Sequence, residues 1–337
     1  MKIRNRQRTS KSARVISALG MTAAVATGGV LAAAGSAHAS PTSSYSFSTL
    51  NNSNDLTFNQ LLGINNHGVI AGYFGSGQAG HPNKGYYLLP GNQRPRYNQL
   101  DYRVENFPGS TQTQVTGLND GSTQVGFYSP TNTGTDANLA WYSTDDGLTF
   151  QPVTVPADTT PSSPAVTQLL GVNDHNEAVG FYNDAAGLSH GFTYSIRTGS
   201  FSYTTIPGTD PATTSVTDAA INDWGQIAGS FTPSGGSTES FLTTRHGVIT
   251  LSVPGASSTT ALGVNDSGEV VGIFANSSGT HGFTWTRHGG FTTIDDNASN
   301  AMPGTTNVNG VNDRGQLVGF YTDTAGNVDG MLVTPSS

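Results

Sequence analysis

A ten-residue block recurs six times along this chain and constrains it more than any other feature. At Gly263 it reads Gly-Val-Asn-Asp-Ser-Gly-Glu-Val-Val-Gly, and its counterparts begin at Gly63, Gly117, Gly171, Ala220 and Gly310. The shared asparagines are Asn65, Asn119, Asn173, Asn222, Asn265 and Asn312, spaced 54, 54, 49, 43 and 47 residues apart. A period of about fifty residues points to a propeller or a solenoid before any other architecture.

The block itself reads as a β-hairpin. Asn is favoured at the first position of a type I turn and Gly at the fourth, where a positive φ costs glycine nothing. Apolar β-formers flank the turn, as in residues 260–264 and 269–274. The closing glycine of the block, Gly272 and its five counterparts, leaves room for a neighbouring backbone or a large side chain. Two further short strands follow each hairpin, at 282–286 and 291–294 in the fifth repeat and at 191–195 and 201–206 in the third. Four antiparallel strands per repeat make a propeller blade.

The chain ends test this phase. The sixth repeat has three strand segments, 307–311, 316–321 and 330–334, and then stops one strand short. The missing segment lies at the other end, where residues 45–50 (Tyr-Ser-Phe-Ser-Thr-Leu) match the fourth-strand pattern of 201–206. The sequence therefore predicts an all-β, six-bladed propeller of four-stranded antiparallel blades, closed by pairing 45–50 with the C-terminal blade. The domain plan is a leader at 1–39, a flexible arm at 40–44 and one propeller over 45–337.

The leader has the three parts of a secretory signal. Six basic residues and no acid fall in the first fourteen positions, an Ala-rich apolar run follows, and Ala37-His38-Ala39 supplies a small-x-small cleavage site before Ser40. The competing reading is a retained anchor, since the apolar run approaches the length of a span. Cleavage predicts an extracellular protein without a membrane segment.

The leader holds six of the 14 Lys and Arg and none of the 22 Asp and Glu, so the remaining chain carries eight basic residues and a formal charge of −14. That balance argues against a nucleic-acid partner, whose phosphates need a basic face. The chain has no cysteine, which removes thiolate catalysis and cysteine metal sites. A secreted domain this large buries enough surface to fold without disulfides.

Written as Gly-Val-Asn-Asp-x-Gly-x-Val-Val-Gly followed by His-Gly-Phe, the repeat resembles the HAF family of bacterial extracellular repeats. The resemblance covers most of residues 61–334. His-Gly-Phe itself is kept only at His190-Gly191-Phe192 and His281-Gly282-Phe283. The resemblance implies a secreted, propeller-like β protein, and it implies no reaction, because no catalytic motif comes with it.

Candidate chemistry is sparse. His190 and His281 can act as ligands or bases, or each can tie strands within its blade. Their equivalent repeat positions favour the second role. The motif asparagines can ring the channel and bind a polar group, or each can cap its own turn. Five motif acids, Asp120, Asp174, Asp223, Asp266 and Asp313, are assigned to turn geometry. Trp224 occupies the variable turn position and is expected to face solvent, which makes it the candidate ligand-binding residue. Trp141 and Trp285 are expected at matching third-strand positions, packed between blades. Arg94, Arg96 and Arg103 cluster in the first repeat, in or beside its inserted loop.

No cofactor motif is evident, and the common zinc, phosphate-loop and nucleophile-elbow patterns are missing. Calcium held by carbonyls and scattered Asp or Asn is the metal that such a motif search would miss. The expected function is a monomeric, non-catalytic binding or scaffold module for an extracellular glycan or protein. The alternative is a polysaccharide- or small-ester-directed hydrolase or lyase in the central funnel. Acids, His or Arg from different blades converging at one mouth of the channel would favour the enzyme.

Overall fold

The computed structural model describes residues 45–78, 80–91, 97–132, 136–156 and 159–336. The leader, the arm, Arg94 and Arg96 lie outside the described residues.

The described chain is six four-stranded antiparallel sheets arranged as propeller blades. Blade 1 holds β2 (Asn59–Ile64), β3 (Ile70–Phe74), β4 (Lys84–Leu88) and β5 (Tyr102–Val104). Blade 2 holds β6 (Gln112–Leu118), β7 (Gln124–Ser129), β8 (Leu139–Ser143) and β9 (Gln151–Val153). Blade 3 holds β10 (Thr167–Val172), β11 (Glu177–Asn183), β12 (Ser189–Ser195) and β13 (Ser200–Tyr203). Blade 4 holds β14 (Ser215–Ile221), β15 (Ile227–Thr232), β16 (Glu239–Thr244) and β17 (Gly247–Leu251). Blade 5 holds β18 (Ser258–Val264), β19 (Val270–Asn276), β20 (Gly279–Thr286) and β21 (Gly290–Ile294). Blade 6 holds β22 (Asn307–Val311), β23 (Leu317–Thr322) and β24 (Val328–Pro335), and its fourth strand is β1 (Tyr45–Thr49).

The ring closes as the phase of the repeat requires. β1 runs antiparallel to β24, with Tyr45 opposite Pro335 and Thr49 opposite Met331. The Leu50 amide adds one more bond, donating to the Gly330 carbonyl at 2.8 Å.

Each motif turn joins the first two strands of a blade, and its fourth residue takes the left-handed conformation. Gly68 stands there at φ 81°, and Ser122 and Asn176 take the same role at 66° and 59° where the repeat lacks glycine. Asn and Ser tolerate that region less readily than glycine, so the second and third turns carry a modest strain. Each inner hairpin carries a bulge in its first strand, ahead of the turn, as between Leu169 and Gly171.

The closing glycine sits beside that bulge. A Cβ added to Gly180 would stand 1.9 Å from the Gln168 carbonyl oxygen. Across the ladder each closing glycine faces a large third-strand side chain, such as Gly126 opposite Trp141 and Gly180 opposite Phe192. Tyr86, Trp141, Phe192, Phe241, Phe283 and Met331 occupy this position in turn, all fully buried. Each contributes about 1.5–3 kcal/mol from burial alone. The apolar clusters run between blades, joining for example Val125 and Ala140 of blade 2 to Leu169 and Phe192 of blade 3.

Trp141 and Trp285 are not equivalent, which corrects the expectation from sequence. Trp141 faces Gly126 and is fully buried, whereas Trp285 lies two residues further along its strand, opposite Val270, and is only partly buried. The ladder pairs Gly272 with Phe283, so Phe283 is the counterpart of Trp141.

Candidate functional site

The six motif turns gather at one mouth of the central channel, around a cavity of about 90 Å³. Below them the inner strands touch backbone to backbone. A Cβ on Gly117 would reach the Gly171 Cα at 3.1 Å, and one on Gly310 would reach the Gly63 Cα at 3.2 Å. The first glycine of the block thus sits in close approach to the neighbouring blade, and Ala220 holds the same place in blade 4. The motif turns above line a bowl at the mouth.

The asparagines form the floor of the bowl. Each Oδ1 accepts amide bonds from its own turn, as Asn65 does from His67 and Val69 at 3.0 and 2.9 Å. Each Nδ2 donates to the backbone carbonyl of the next blade's asparagine. The distances, from Asn65 to Asn119 and onward, are 3.0, 2.9, 3.1, 2.9, 3.1 and 3.0 Å, the last closing from Asn312 to Asn65. One side chain therefore both shapes a turn and bonds two blades.

A second ring lies beside the first. The amide of Asn66 donates to Asp120 Oδ1, Asp120 to Asp174, Asp174 to Asp223, Asp223 to Asp266, and Asp266 to Asp313, at 2.8–2.9 Å. The Asp313 amide closes this ring on Asn66 Oδ1 at 2.9 Å. The motif acids thus bond between blades, to the turn of the preceding repeat. Blade 1 carries Asn66 where the others carry Asp, and its Nδ2 donates to Asp313 Oδ2 at 2.7 Å. Five carboxylates share one mouth, so like charges crowd. Burial, then the neighbouring aspartates, raises the pKa of Asp174 and of Asp266 despite the amide each accepts.

The variable turn residue of each blade stands on the rim. These are His67, Gly121, His175, Trp224, Ser267 and Arg314, all exposed. Here the six blades differ from one another. Trp224 is 76 % exposed, and its indole N–H donates to the Asp266 carbonyl at 3.1 Å. That bond pins the ring to the next blade while leaving the indole largely open to solvent. His67 Nδ1 stands 3.7 Å from Asp120 Oδ1, beyond hydrogen-bond reach.

The remaining sequence candidates lie elsewhere. His190 Nε2 is 2.8 Å from Asp184 Oδ2, and the imidazole stacks on Tyr182. His281 Nδ1 is 2.9 Å from Asp295 Oδ1, with its ring stacked on Phe274. Each therefore joins its strand to a loop of the same blade. Arg103 is on the outer strand of blade 1 and donates to the Leu100 carbonyl at 2.6 Å. Among the described residues no group of three or more His, Asp or Glu side chains is placed to hold a metal ion.

Fold and mouth together define a six-bladed β-propeller with an acidic bowl whose rim carries Trp224. No family model matches the chain, and no curated protein matches it. Solved structures do. The chain is similar to AofleA from Arthrobotrys oligospora, with 15 % identity, 86 % of each chain covered and a TM-score of 0.53. It is also similar to a streptogramin B lyase, with 11 % identity, 87 % of this chain and 98 % of that one covered and a TM-score of 0.44. The Trypanosoma rangeli sialidase matches at 11 % identity over 81 % of this chain and 54 % of its own, with a TM-score of 0.44. At such identities the likeness is one of fold alone.

Proposed function

We propose that this chain is a secreted, non-catalytic binding or scaffold module, related to the HAF repeat proteins, that engages an extracellular glycan or protein at the channel mouth. The observation that carries this reading is Trp224, 76 % exposed and fixed by its own N–H bond. A pinned aromatic face loses little entropy when a ligand stacks on it. Flanking carboxylates accept hydrogen bonds from hydroxyl groups. An aromatic face beside hydroxyl acceptors favours a glycan over a protein.

The convergence of five acids at the mouth favours the second reading, a hydrolase or lyase. Catalysis by a carboxylate pair needs one acid and one base in distinct surroundings. Here each carboxylate accepts the amide of the preceding blade, and the set repeats around the ring. The unlike residues are on the rim, and they form no nucleophile–base pair. The binding reading therefore stands first.

The test is a glycan array followed by titration of the best ligands with wild-type protein and Trp224→Ala. Saturable binding that is lost in the variant supports the proposal. Binding that the variant keeps would move the site away from the mouth, and reducing-end release above a heat-killed control would establish the enzyme. N-terminal sequencing of exported protein should begin at Ser40.

A further inference from the structure

One position breaks the repeat inside the core. Four residues before each motif asparagine, the inner strand places a side chain in the seam against the preceding blade. Leu61, Val115, Leu169, Ala261 and Val308 hold it in five blades, each fully buried. Blade 4 has Asp218 there, equally buried. The opposing wall is the third strand of the blade before. A Cβ on Gly282 would meet Val308 at 2.5 Å, and one on Gly191 would meet Asp218 Oδ1 at the same distance. A carboxyl group thus fills a seam that the other blades fill with methyl groups.

Its bonding is incomplete. Thr204 Oγ1 donates to Asp218 Oδ2 at 2.6 Å, and Oδ1 has no partner. Among the described residues no cation forms an ion pair with it. On β12 the wall is Gly191, and the adjacent His190 is committed to Asp184. The loop after β13 offers only the Thr204 hydroxyl, β14 itself adds Val216 to the same wall, and β15 places Gly229 opposite. An ionised carboxylate with one hydrogen bond and no counter-charge is costly in such a place. Burial accordingly pushes the Asp218 pKa up to about 7, opposed only by the Thr204 hydroxyl.

We propose that Asp218 makes the seam between blades 3 and 4 a pH-operated latch, closed while its carboxyl is neutral and loosened when it ionises. The charged form must draw in water or leave the seam, and either movement separates β14 from Gly191. The sign is opposite to that of a salt-bridged carboxylate. The folded state holds this proton more tightly than the unfolded chain does. The stability it gives is full below the unfolded value near 3.8 and is lost as pH rises to about 7. The latch holds in acid surroundings and loosens in neutral ones.

The experiment is denaturant unfolding of the full chain from pH 4 to 8, with hydrogen exchange read by peptide. One proton held only by the folded state raises the unfolding constant about tenfold per pH unit across the window. Asp218→Asn cannot ionise and should lower that slope by one proton. Asp218→Leu, which restores the residue found at Leu61 and Leu169, should lower it equally. In wild type, peptides covering β12 and β14 should gain exchange between pH 5 and 8, after correction for intrinsic rates, beyond those covering β8 and β10. An unchanged slope in the variants, or a gain spread evenly over all seams, would overturn the latch.

Discussion

Asn312 donates from Nδ2 to the carbonyl oxygen of Asn65 at 3.0 Å, across 247 residues of sequence. It is the one bond of the asparagine ring that joins the last blade to the first. Every other member joins neighbours 43 to 54 residues apart. The propeller is therefore closed near the axis, by this amide together with the Asp313–Asn66 bonds, and at the periphery by β1 on β24. Asn312→Ala removes the closing bond and also the acceptor for the Arg314 and Gln316 amides. Buried donors and acceptors left unpaired cost about 1–3 kcal/mol each. The variant should lose about 2–4 kcal/mol in urea unfolding, while Arg314→Ala on the exposed rim should change stability little.

The peripheral closure has its own test. Without residues 45–49, blade 6 keeps three strands and β24 becomes its unpaired outer edge. Such an edge pairs readily with another chain. A truncation beginning at Asn51 should elute as oligomers or aggregate on size exclusion. Adding a peptide of residues 44–50 should restore monomer.

Two glycines of blade 3 separate steric demand from backbone demand. Gly180 leaves no space, because a Cβ would stand 1.9 Å from the Gln168 oxygen. Gly187 has open space around it and only a positive φ of 85°. Gly187→Ala should cost about 1 kcal/mol, the usual penalty for left-handed backbone. Gly180→Ala should cost more than about 4 kcal/mol or prevent folding, as overpacking against rigid backbone does. Thermal unfolding of the pair reads the difference directly.

The architecture was legible because its signals are local and stereochemically narrow. Turn residues at positive φ must be Gly, Asn or a near substitute, and six of them at a regular period specify six hairpins. The phase of the chain ends then required β1 to join β24. What escaped is carried by distance. The turn aspartates look sufficient within their own turns, yet their amide partners belong to the preceding blade. Trp141 and Trp285 look alike in sequence because both fall in third strands. Only the ladder register shows that one faces a closing glycine and the other does not. Asp218 was visible as the one acid in an otherwise apolar column, but only when all six repeats are set in register. Trp224 could be placed on the rim from its turn position, whereas its bond to Asp266 could not.

That bond separates ligand binding from folding at the mouth. Trp224 buries little surface, so Trp224→Ala should change the unfolding free energy by less than about 0.5 kcal/mol, the usual range for an exposed position. Ligand affinity should fall at least tenfold, in line with the loss of a stacking aromatic. Trp224→Phe keeps an aromatic face without the N–H that anchors it. It should bind with intermediate affinity, and calorimetric titration of the three proteins orders them.

Glu105 gives a pH effect of the same sign as Asp218 in a different seam. It follows β5 at the edge of blade 1 and is 6 % exposed. Its carboxylate lies against Gly147 of blade 2, where an added Cβ would come within 2.0 Å of Oε2. Burial, with smaller contributions from Asp146 and Asp145, pushes its pKa up from 4.5 to about 7, opposed by a hydrogen bond from Gln124. The folded state again holds the extra proton, so the contribution is full below pH 4.5 and is lost as pH rises to about 7. Glu105→Gln keeps the shape and cannot ionise. It should melt at a higher temperature than wild type at pH 8, and the gap should close by pH 4. Glu105 and Asp218 share no partner, so the double variant with Asp218→Asn should show the two slopes removed additively. Calorimetric melting points at three pH values are sufficient to read both effects, and a Glu105→Gln curve parallel to wild type would place the proton elsewhere.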